Sequence, residues 1–205
     1  MNDANKRPFT GELCQPLDPD IVYGEVCIKQ FPREGITLSL RPLSLTTDES
    51  LLREFALLEL PGRKDLEESL FRTKKEELNL LTISDLGQSF MGFINDQPAF
   101  LVTVHLMRQS NLGRRYAEQP GDYEIRLERL PRVGDKDGNV FASVIWQSCP
   151  DCFFAFPEVG RLITILDILQ PGEKQYCRAA GFRPLARPSG GYDWEELYVH
   201  EGKRS

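Results

Sequence analysis

The sequence predicts an α+β fold, and the order of its elements is the main reason. Strand-type and helix-type patterns follow one another as a strand, two helices, a hairpin, a strand, a loop, a helix, a strand, a helix and a strand. One strand, over residues 162–166, is a continuous apolar run, which indicates a buried strand. The 205 residues suit one domain, with or without an extension, that buries most of its apolar surface.

The first 35 residues (1–35) are predicted to form an extension, and residues 36–205 the domain itself. The extension is rich in proline and charge and contains one short strand candidate, Ile21 to Ile28. We expect it to pack on the edge of the domain or to serve in association. Ile36 to Leu43 alternates, which predicts the first strand of the domain.

Two helices are predicted after this strand. Thr46 and Glu49 have the spacing of a capping box, so the first helix should open at Thr46. Its apolar stripe consists of Leu51, Leu52, Phe55 and Leu58. The dipeptide Pro61-Gly62 ends it, and Asp65 to Leu81 is predicted to form a second helix with a charged outer face.

The middle of the chain is predicted to be a hairpin followed by a further strand. Phe90 to Ile94 and Ala99 to Met107 are β-type runs joined by the turn signal Asn-Asp-Gln-Pro. Tyr123 to Leu127 alternates, so its apolar and charged side chains should lie on opposite faces. Glu195 to His200 alternates in the same way and is predicted to be the last strand.

The loop from Leu130 to Asn139 is the natural site for an anion. It joins a strand to a helix predicted from Asn139 to about Gln147, whose first N–H groups and dipole attract phosphate. The inward residues of this helix are predicted to be Val140, Phe141, Val144 and Ile145. Because Asp135 and Asp137 place negative charge in the loop, an ordinary exposed turn is the alternative.

The composition excludes several classes of protein. A formal net charge of −6 without a Lys/Arg cluster argues against a nucleic-acid-binding surface. No window approaches the roughly 18 apolar residues that a membrane span needs. The N-terminus lacks the apolar core of a signal peptide, so we expect a cytoplasmic protein whose five scattered cysteines are reduced thiols.

Cys149 and Cys152 have the spacing of a redox or metal motif. A zinc site would need a second pair, and Cys14, Cys27 and Cys177 show no matching motif. A redox site would need its first cysteine at a helix N-terminus, whereas this pair follows a predicted helix. We therefore expect no metal.

The segment from Val159 to Phe182 resembles the last strand–helix unit of the GCN5-related N-acetyltransferases. Many members read D-x-x-N at the end of the strand, followed by a helix that ends in Y-x-x-x-G-F. Asp167 and Gly181-Phe182 match this pattern, while Gln170 stands at the Asn position and Cys177 at the Tyr position.

Residues from about 90 to 185 resemble more particularly the subgroup of siderophore biosynthesis. That subgroup acylates hydroxylated lysine-type side chains, and its relatives modify aminoglycosides. Gly121, Asp122 and Ile125 match its G-D-x-G-[IM]-H strand motif, and Phe153-Phe154 and Arg161 match the region before the next strand. Arg126 stands where the motif has His.

The resemblance implies a fold and an activity. The fold is a mixed, mostly antiparallel sheet of six or seven strands flanked by helices. The activity is acyl transfer from acetyl-CoA or another acyl-CoA to a primary amine or hydroxylamine of a small molecule, without a metal. The protein would be a monomer or homodimer with no nucleic-acid or membrane partner.

The same resemblance implies a place for coenzyme A. Its pyrophosphate would lie at the turn from Val133 to Asn139, and its pantetheine arm between the strands at 123–130 and 162–167. The cofactor-binding residues would be Leu127, Arg129, Val133, Gly134, Gly138, Asn139 and Cys177. The loop keeps only Gly134 and Gly138, so a binding or assembly protein that has lost catalysis is the alternative.

Three residues are candidates for the chemistry. Asp167 is predicted to hold or deprotonate the acceptor, or else to cap the next helical turn or pair with an arginine. His105 is predicted to relay a proton if its strand lines the acceptor cleft, or else to be a structural hydrogen-bonding residue. Arg126 is predicted to steady an anionic oxygen, or else to pair with Glu124 or Glu128.

Overall fold

The computed structural model describes residues 6–59, 66–113, 116–130, 138–167, 171–185 and 195–202. Its helices are α1 (Glu49–Glu59), α2 (Glu67–Thr82), α3 (Gly138–Phe153) and α4 (Pro171–Ala179). Its strands are β1 (Cys27–Phe31), β2 (Ile36–Pro42), β3 (Gly87–Ile94), β4 (Gln97–Leu106), β5 (Asp122–Arg129), β6 (Arg161–Asp167), β7 (Arg183–Pro184) and β8 (Glu195–Glu201). A short 3₁₀ turn, Met107–Gln109, follows β4.

The described strands form one mixed sheet, so the predicted fold class is confirmed. Their order is β1-β2-β3-β4-β5-β6-β8-β7, and every neighbouring pair is antiparallel except β5 and β6. The sheet has eight strands instead of the predicted six or seven. Part of the difference is β7, which has two residues and is too short to leave a periodic signal.

The strand predicted from Ile21 to Ile28 lies further along the chain, at Cys27–Phe31. It pairs with β2 along its whole length, from Cys27 opposite Leu40 to Phe31 opposite Ile36. The preceding segment also contacts the domain, because Leu13 and Cys14 are buried in the same apolar cluster as β2. Residues 6–31 therefore pack against the body of the protein.

Helix α1 begins three residues later than the capping box predicts. The main-chain oxygen of Asp48 accepts the first helical bonds, from Leu51 and Leu52. The Asp48 carboxylate forms a buried two-point ion pair with Arg41, at 2.6 and 2.8 Å. The Thr46 hydroxyl is bonded to Asp20 and does not cap the helix. The Arg41–Asp48 ion pair therefore sets the start of this helix.

The sheet separates two apolar layers. On one face, here the α3/α4 face, Phe90, Val102, Ile125 and Leu162 pack with residues of α3 and α4 such as Ile145, Trp146 and Cys177. On the other face, here the α1/α2 face, Met91 and Leu101 pack with Phe55, Phe71 and Leu78. Alternation along each strand assigns neighbouring side chains to opposite faces.

Helix α3 is longer than predicted and extends through Phe153. Val144 and Ile145 are buried as expected, but Val140 is 41% exposed, so its inward assignment is wrong. Val140 lies in the first turn of α3, where the neighbouring Phe141 makes the contact with the core instead. The Cys149–Cys152 segment lies within the helix and includes Pro150.

Two of the cysteines expected to be reduced are joined in the structure. Cys27 of β1 and Cys152 of α3 form a disulfide with a Cα–Cα distance of 5.5 Å. They are 125 residues apart in sequence, and they meet because α3 packs against the β1–β2 edge of the sheet. Cys14, Cys149 and Cys177 are free and buried.

The disulfide predicts a specific dependence on reductant. Dithiothreitol should lower the free energy of unfolding of the wild-type protein by about 2–4 kcal/mol, because the bond closes a long loop and restricts the unfolded chain. Urea denaturation measures this. The variant Cys27→Ser should already be destabilised and should not respond to dithiothreitol. Equal stability of the wild type with and without reductant would contradict the expectation.

Candidate active site

The parallel strands β5 and β6 are paired only at their beginnings. The register runs from Asp122 opposite Arg161 to Glu124 opposite Ile163, and no further described pair joins the two strands. Both continue beyond this point, to Arg129 and Asp167. They therefore diverge and leave a gap in the sheet, whose narrow end, here called the vertex, lies at Glu124 and Ile163.

A buried ion pair fixes the beginning of the gap. Asp122 accepts hydrogen bonds of 2.6 Å from both Nε and Nη2 of Arg161, and a third of 2.8 Å from the main-chain N–H of Gln119. The Asp122 side chain is 1% exposed. Because a charge-assisted fork has a fixed geometry, this pair sets the register of β5 against β6.

Gly121 is required by the conformation of the chain before β5. Its φ is +83°, which L side chains rarely adopt, and a Cβ here would lie 3.0 Å from the main-chain nitrogen of Gly160. Its carbonyl accepts N–H bonds from Gly160 and Arg161. The Gly121-Asp122 pair of the sequence motif thus builds the turn and the ion pair that start the parallel strands.

The main chain of β5 presents free groups to the gap. The N–H of Leu130 bonds to the carbonyl of Ala99, so residue 130 and every second residue before it face β4. Ile125, Leu127 and Arg129 consequently direct their N–H and C=O groups toward β6. The N–H of Ile125 takes part in the last pairing, with Ile163. Beyond it no described strand pairs with the C=O of Ile125 or with Leu127 and Arg129, and an extended, amide-containing chain could bond to these groups.

A group of polar side chains lies beside the vertex on the α1/α2 face. We call it the polar strip, and it consists of Ser89, Thr103, His105, Glu124 and Arg126. The register places Ser89 opposite Thr103, Thr103 opposite Arg126, and His105 opposite Glu124. Three neighbouring strands therefore bring these five residues together in a sheet whose remaining interior is mostly apolar.

Three atoms of the polar strip are buried without a hydrogen-bond partner among the described residues. They are Ser89 Oγ, His105 Nε2 and Glu124 Oε2. The other carboxylate oxygen of Glu124 accepts a bond of 2.8 Å from Arg126 Nε. Since an unsatisfied buried polar atom costs about 1–3 kcal/mol, three of them side by side indicate a place for a bound polar molecule.

Burial, with the positive charge of Arg126, favours the neutral form of His105. Burial lowers the pKa of the His105 imidazole below its usual value, and the positive charge of Arg126 lowers it further. Glu124 and Glu77 oppose this effect without reversing it. At pH 7 the ring therefore has one nitrogen free to accept a proton. Arg126, whose side chain is 46% exposed, remains partly open to solvent.

The three predicted catalytic residues fall in two places. His105 and Arg126 are both in the polar strip, and Arg126 also makes the pairing with Glu124 that was the structural alternative for it. Asp167 is the last residue of β6 and is paired with Glu195. It lies four residues beyond the vertex, about 13 Å along the strand. The role of Asp167 stays a prediction.

The predicted cofactor residues that are described lie on β5, α3 and α4, and their role stays a prediction. Leu127 and Arg129 lie on its β5 side, and Gly138 and Asn139 open α3. Cys177 is fully buried on α4, and burial raises the pKa of its thiol well above the usual range. Val133 and Gly134 lie outside the described residues, as does Gln170.

Sequence reasoning did not identify Glu124 or Ser89 as candidate site residues. In the sequence, Glu124 is one of three charged residues that alternate along β5 and was considered only as a partner for Arg126. What distinguishes it is its position opposite His105 at the vertex, with a side chain that is 1% exposed. This position depends on the register between β4 and β5, which a single sequence does not reveal.

Two other kinds of site receive no support from the described part of the chain. It contains no group of three or more His, Cys, Asp or Glu side chains that could hold a metal ion. None of its helices is long and apolar enough to cross a membrane.

This arrangement, with helices on both faces of a mixed sheet and one diverging parallel pair, is the fold of the acyl-CoA N-acyltransferases. The aminoglycoside acetyltransferase AAC(6')-Ib, solved with ribostamycin and coenzyme A, has a TM-score of 0.64 at 15% identity, over 80% of this chain and 93% of that chain. RimL, a ribosomal L7/L12 alpha-N-protein acetyltransferase solved with coenzyme A, has a TM-score of 0.58 at 11% identity, over 87% of this chain and 98% of that one.

A third similar structure is an uncharacterized protein from Bacillus halodurans. Its TM-score is 0.69 at 15% identity, over 85% of this chain and 89% of that chain. At these identities the likeness establishes the fold. No protein-family model and no curated protein sequence matches the chain.

Proposed function

We propose that this protein is an N-acyltransferase that moves an acetyl or other acyl group from acyl-CoA to a primary amine or hydroxylamine of a small molecule. The observation that carries the proposal is the polar strip at the vertex of the β5–β6 gap. A cosubstrate lying in the gap would end beside Glu124 Oε2 and His105 Nε2, two atoms without a hydrogen-bond partner among the described residues. These are the groups that an acceptor amine needs beside it.

Acyl transfer from a thioester to an amine has three requirements. The amine must be neutral when it attacks, the developing negative charge needs a donor, and the leaving sulfur must depart as a thiol. Glu124 is a carboxylate within the sheet that can accept the amine's proton. Neutral His105, directly opposite on β4, can pass that proton on. The main-chain N–H of Leu127, the first N–H of β5 on this side beyond the pairing with β6, can serve as the donor.

The described residues fit acyl-CoA as a substrate in two respects. The C=O of Ile125 and the N–H and C=O groups of Leu127 and Arg129 suit the two amides of a pantetheine arm. The N-terminus of α3, at Gly138 and Asn139, follows β5 along the chain, and the first N–H groups of a helix attract phosphate. Acyl-CoA would therefore enter from the α3/α4 side and the acceptor from the α1/α2 side.

The class of acceptor follows from the resemblance and from the polar strip. A hydroxylamine is much less basic than an alkyl amine and is neutral at pH 7, so a modest base suffices for it. This supports a hydroxylated lysine-type acceptor and a role in siderophore assembly. An aminoglycoside or another small amine is the alternative within the same fold, and a binding or assembly protein without catalysis is the alternative in another class.

Calorimetric titration with acetyl-CoA and with free CoA tests the proposal. We expect both to bind with one site per chain, because the gap and the α3 N-terminus do not depend on the acyl group. Release of free thiol should then follow the addition of N-hydroxylysine, and less or none should follow lysine or kanamycin. Absence of binding by both forms of CoA, with a folded protein by circular dichroism, would leave only the binding or assembly function.

A further inference from the structure

Glu173 makes two contacts that join separate elements at the wide end of the β5–β6 gap. It is the third residue of α4, and its Oε2 accepts a hydrogen bond of 2.7 Å from Trp146 Nε1 of α3. Its Oε1 is in contact with Arg129 Nη2, at the end of β5. The carboxylate is therefore shared between one buried neutral donor and one guanidinium.

The position of this contact follows from the chain. Arg129 ends β5, which forms one side of the gap. Glu173 begins α4, which follows the end of β6 on the other side. The Arg129–Glu173 ion pair thus spans the gap where the strands are farthest apart, on the α3/α4 face. A chain that runs from the vertex along β5 therefore meets this pair at the end of the strand.

We propose that Glu173 is an internal competitor of acyl-CoA, and that acyl-CoA binds by displacing this carboxylate from Arg129. The inference rests on the proposed function. In the structure the Glu173 carboxylate is bound to the Arg129 guanidinium, which an anionic or carbonyl group of the cosubstrate would otherwise bind. Its negative charge also opposes the approach of a pyrophosphate. Displacement removes both obstacles at once and leaves Arg129 to the cosubstrate.

Trp146 makes the competition stronger than the ion pair alone would. Arg129 is partly exposed, and a pair of that kind contributes about 0.2–1 kcal/mol. The Trp146 ring is 1% exposed, so its N–H loses its only described acceptor when Glu173 moves away. An unpaired buried donor is costly. The hydrogen bond from Trp146 therefore holds Glu173 in place even when another anion attracts Arg129.

Glu173→Gln separates these effects. Its amide oxygen can still accept the Trp146 N–H, while the charge that holds Arg129 is gone. We expect free CoA to bind this variant about 5-fold more tightly than the wild type, in calorimetric titration at low salt. The matched control is Glu196→Gln, which removes another carboxylate that pairs with α4, through Lys174, away from the gap. That variant should bind CoA like the wild type.

The fluorescence of Trp146 gives a second readout. In a Trp194→Phe background Trp146 is the sole tryptophan, because the chain has two. Addition of CoA should change its emission when the carboxylate leaves the indole N–H, and the change should saturate with the calorimetric affinity.

The outcomes are distinguishable. Tighter binding by Glu173→Gln alone, or binding by this variant where the wild type shows none, supports the competition. Binding by the wild type that is equal to or tighter than that of Glu173→Gln overturns it and leaves the proposed function standing. Unchanged Trp146 emission during measurable CoA binding also overturns it. No binding by any folded variant overturns the proposed function and this inference together.

Discussion

Glu124→Gln should lower the turnover number for acyl transfer by about 10²- to 10⁴-fold, which is the usual contribution of a positioned base. The substitution keeps the shape of the side chain and an oxygen for Arg126, but it removes the group that takes the acceptor's proton. The affinity for acyl-CoA should change little, because Glu124 faces the opposite side of the sheet from α3 and α4. Steady-state kinetics and calorimetry on the same variant measure the two quantities.

Two further variants make this expectation specific. Glu128→Gln alters the next carboxylate on the same strand and face, which pairs with Lys74 at 2.6 Å, and it should retain most of the activity. Asp167→Asn tests the acid at the end of β6. If Asp167→Asn abolishes turnover while Glu124→Gln does not, the base has been assigned to the wrong strand.

Asp122→Ala should be the most destabilising single substitution near the site. It leaves the Arg161 guanidinium, which is 13% exposed, without its carboxylate, and removal of one partner of a buried pair costs about 3–5 kcal/mol. It also removes the acceptor of the Gln119 N–H. Urea denaturation should show a midpoint shifted to lower concentration.

The control for this substitution is Asp151→Ala, which breaks the exposed ion pair with Lys29. A pair of that kind contributes about 0.2–1 kcal/mol, so the midpoint should hardly move. Similar losses in the two variants would mean that the Asp122–Arg161 pair does not hold the strands together. Asp122→Asn, which keeps the acceptor for Gln119, should fall between them.

The sequence predicted most elements because their signals are local. Alternation marked β5, and the apolar run marked β6, although it did not show that the two strands separate. His105 and Arg126 were identified as candidates from residue type and resemblance, but their meeting with Glu124 depends on the register between β4 and β5. The start of α1 was misplaced for a similar reason, since Arg41 attracts Asp48 from another element.

Other features depend on contacts between residues far apart in the chain. Cys27 and Cys152 are brought together by the packing of α3 on the edge of the sheet, and spacing alone gave no reason to pair them. Glu173 has the pattern of an ordinary acid in the first turn of a helix. Its partners, Arg129 and Trp146, come from two other elements, so its position across the gap is visible only in three dimensions.

The helices on the two faces of the sheet come from two separate stretches of the chain. The helices on the face of the polar strip come from residues 49–82, whereas those on the opposite face come from residues 138–179. Under the proposed function, grafting α1 and α2 from another protein of this fold would exchange the helices beside the acceptor and leave the opposite layer intact. New acceptor preferences could then arise by replacing one contiguous segment of the chain.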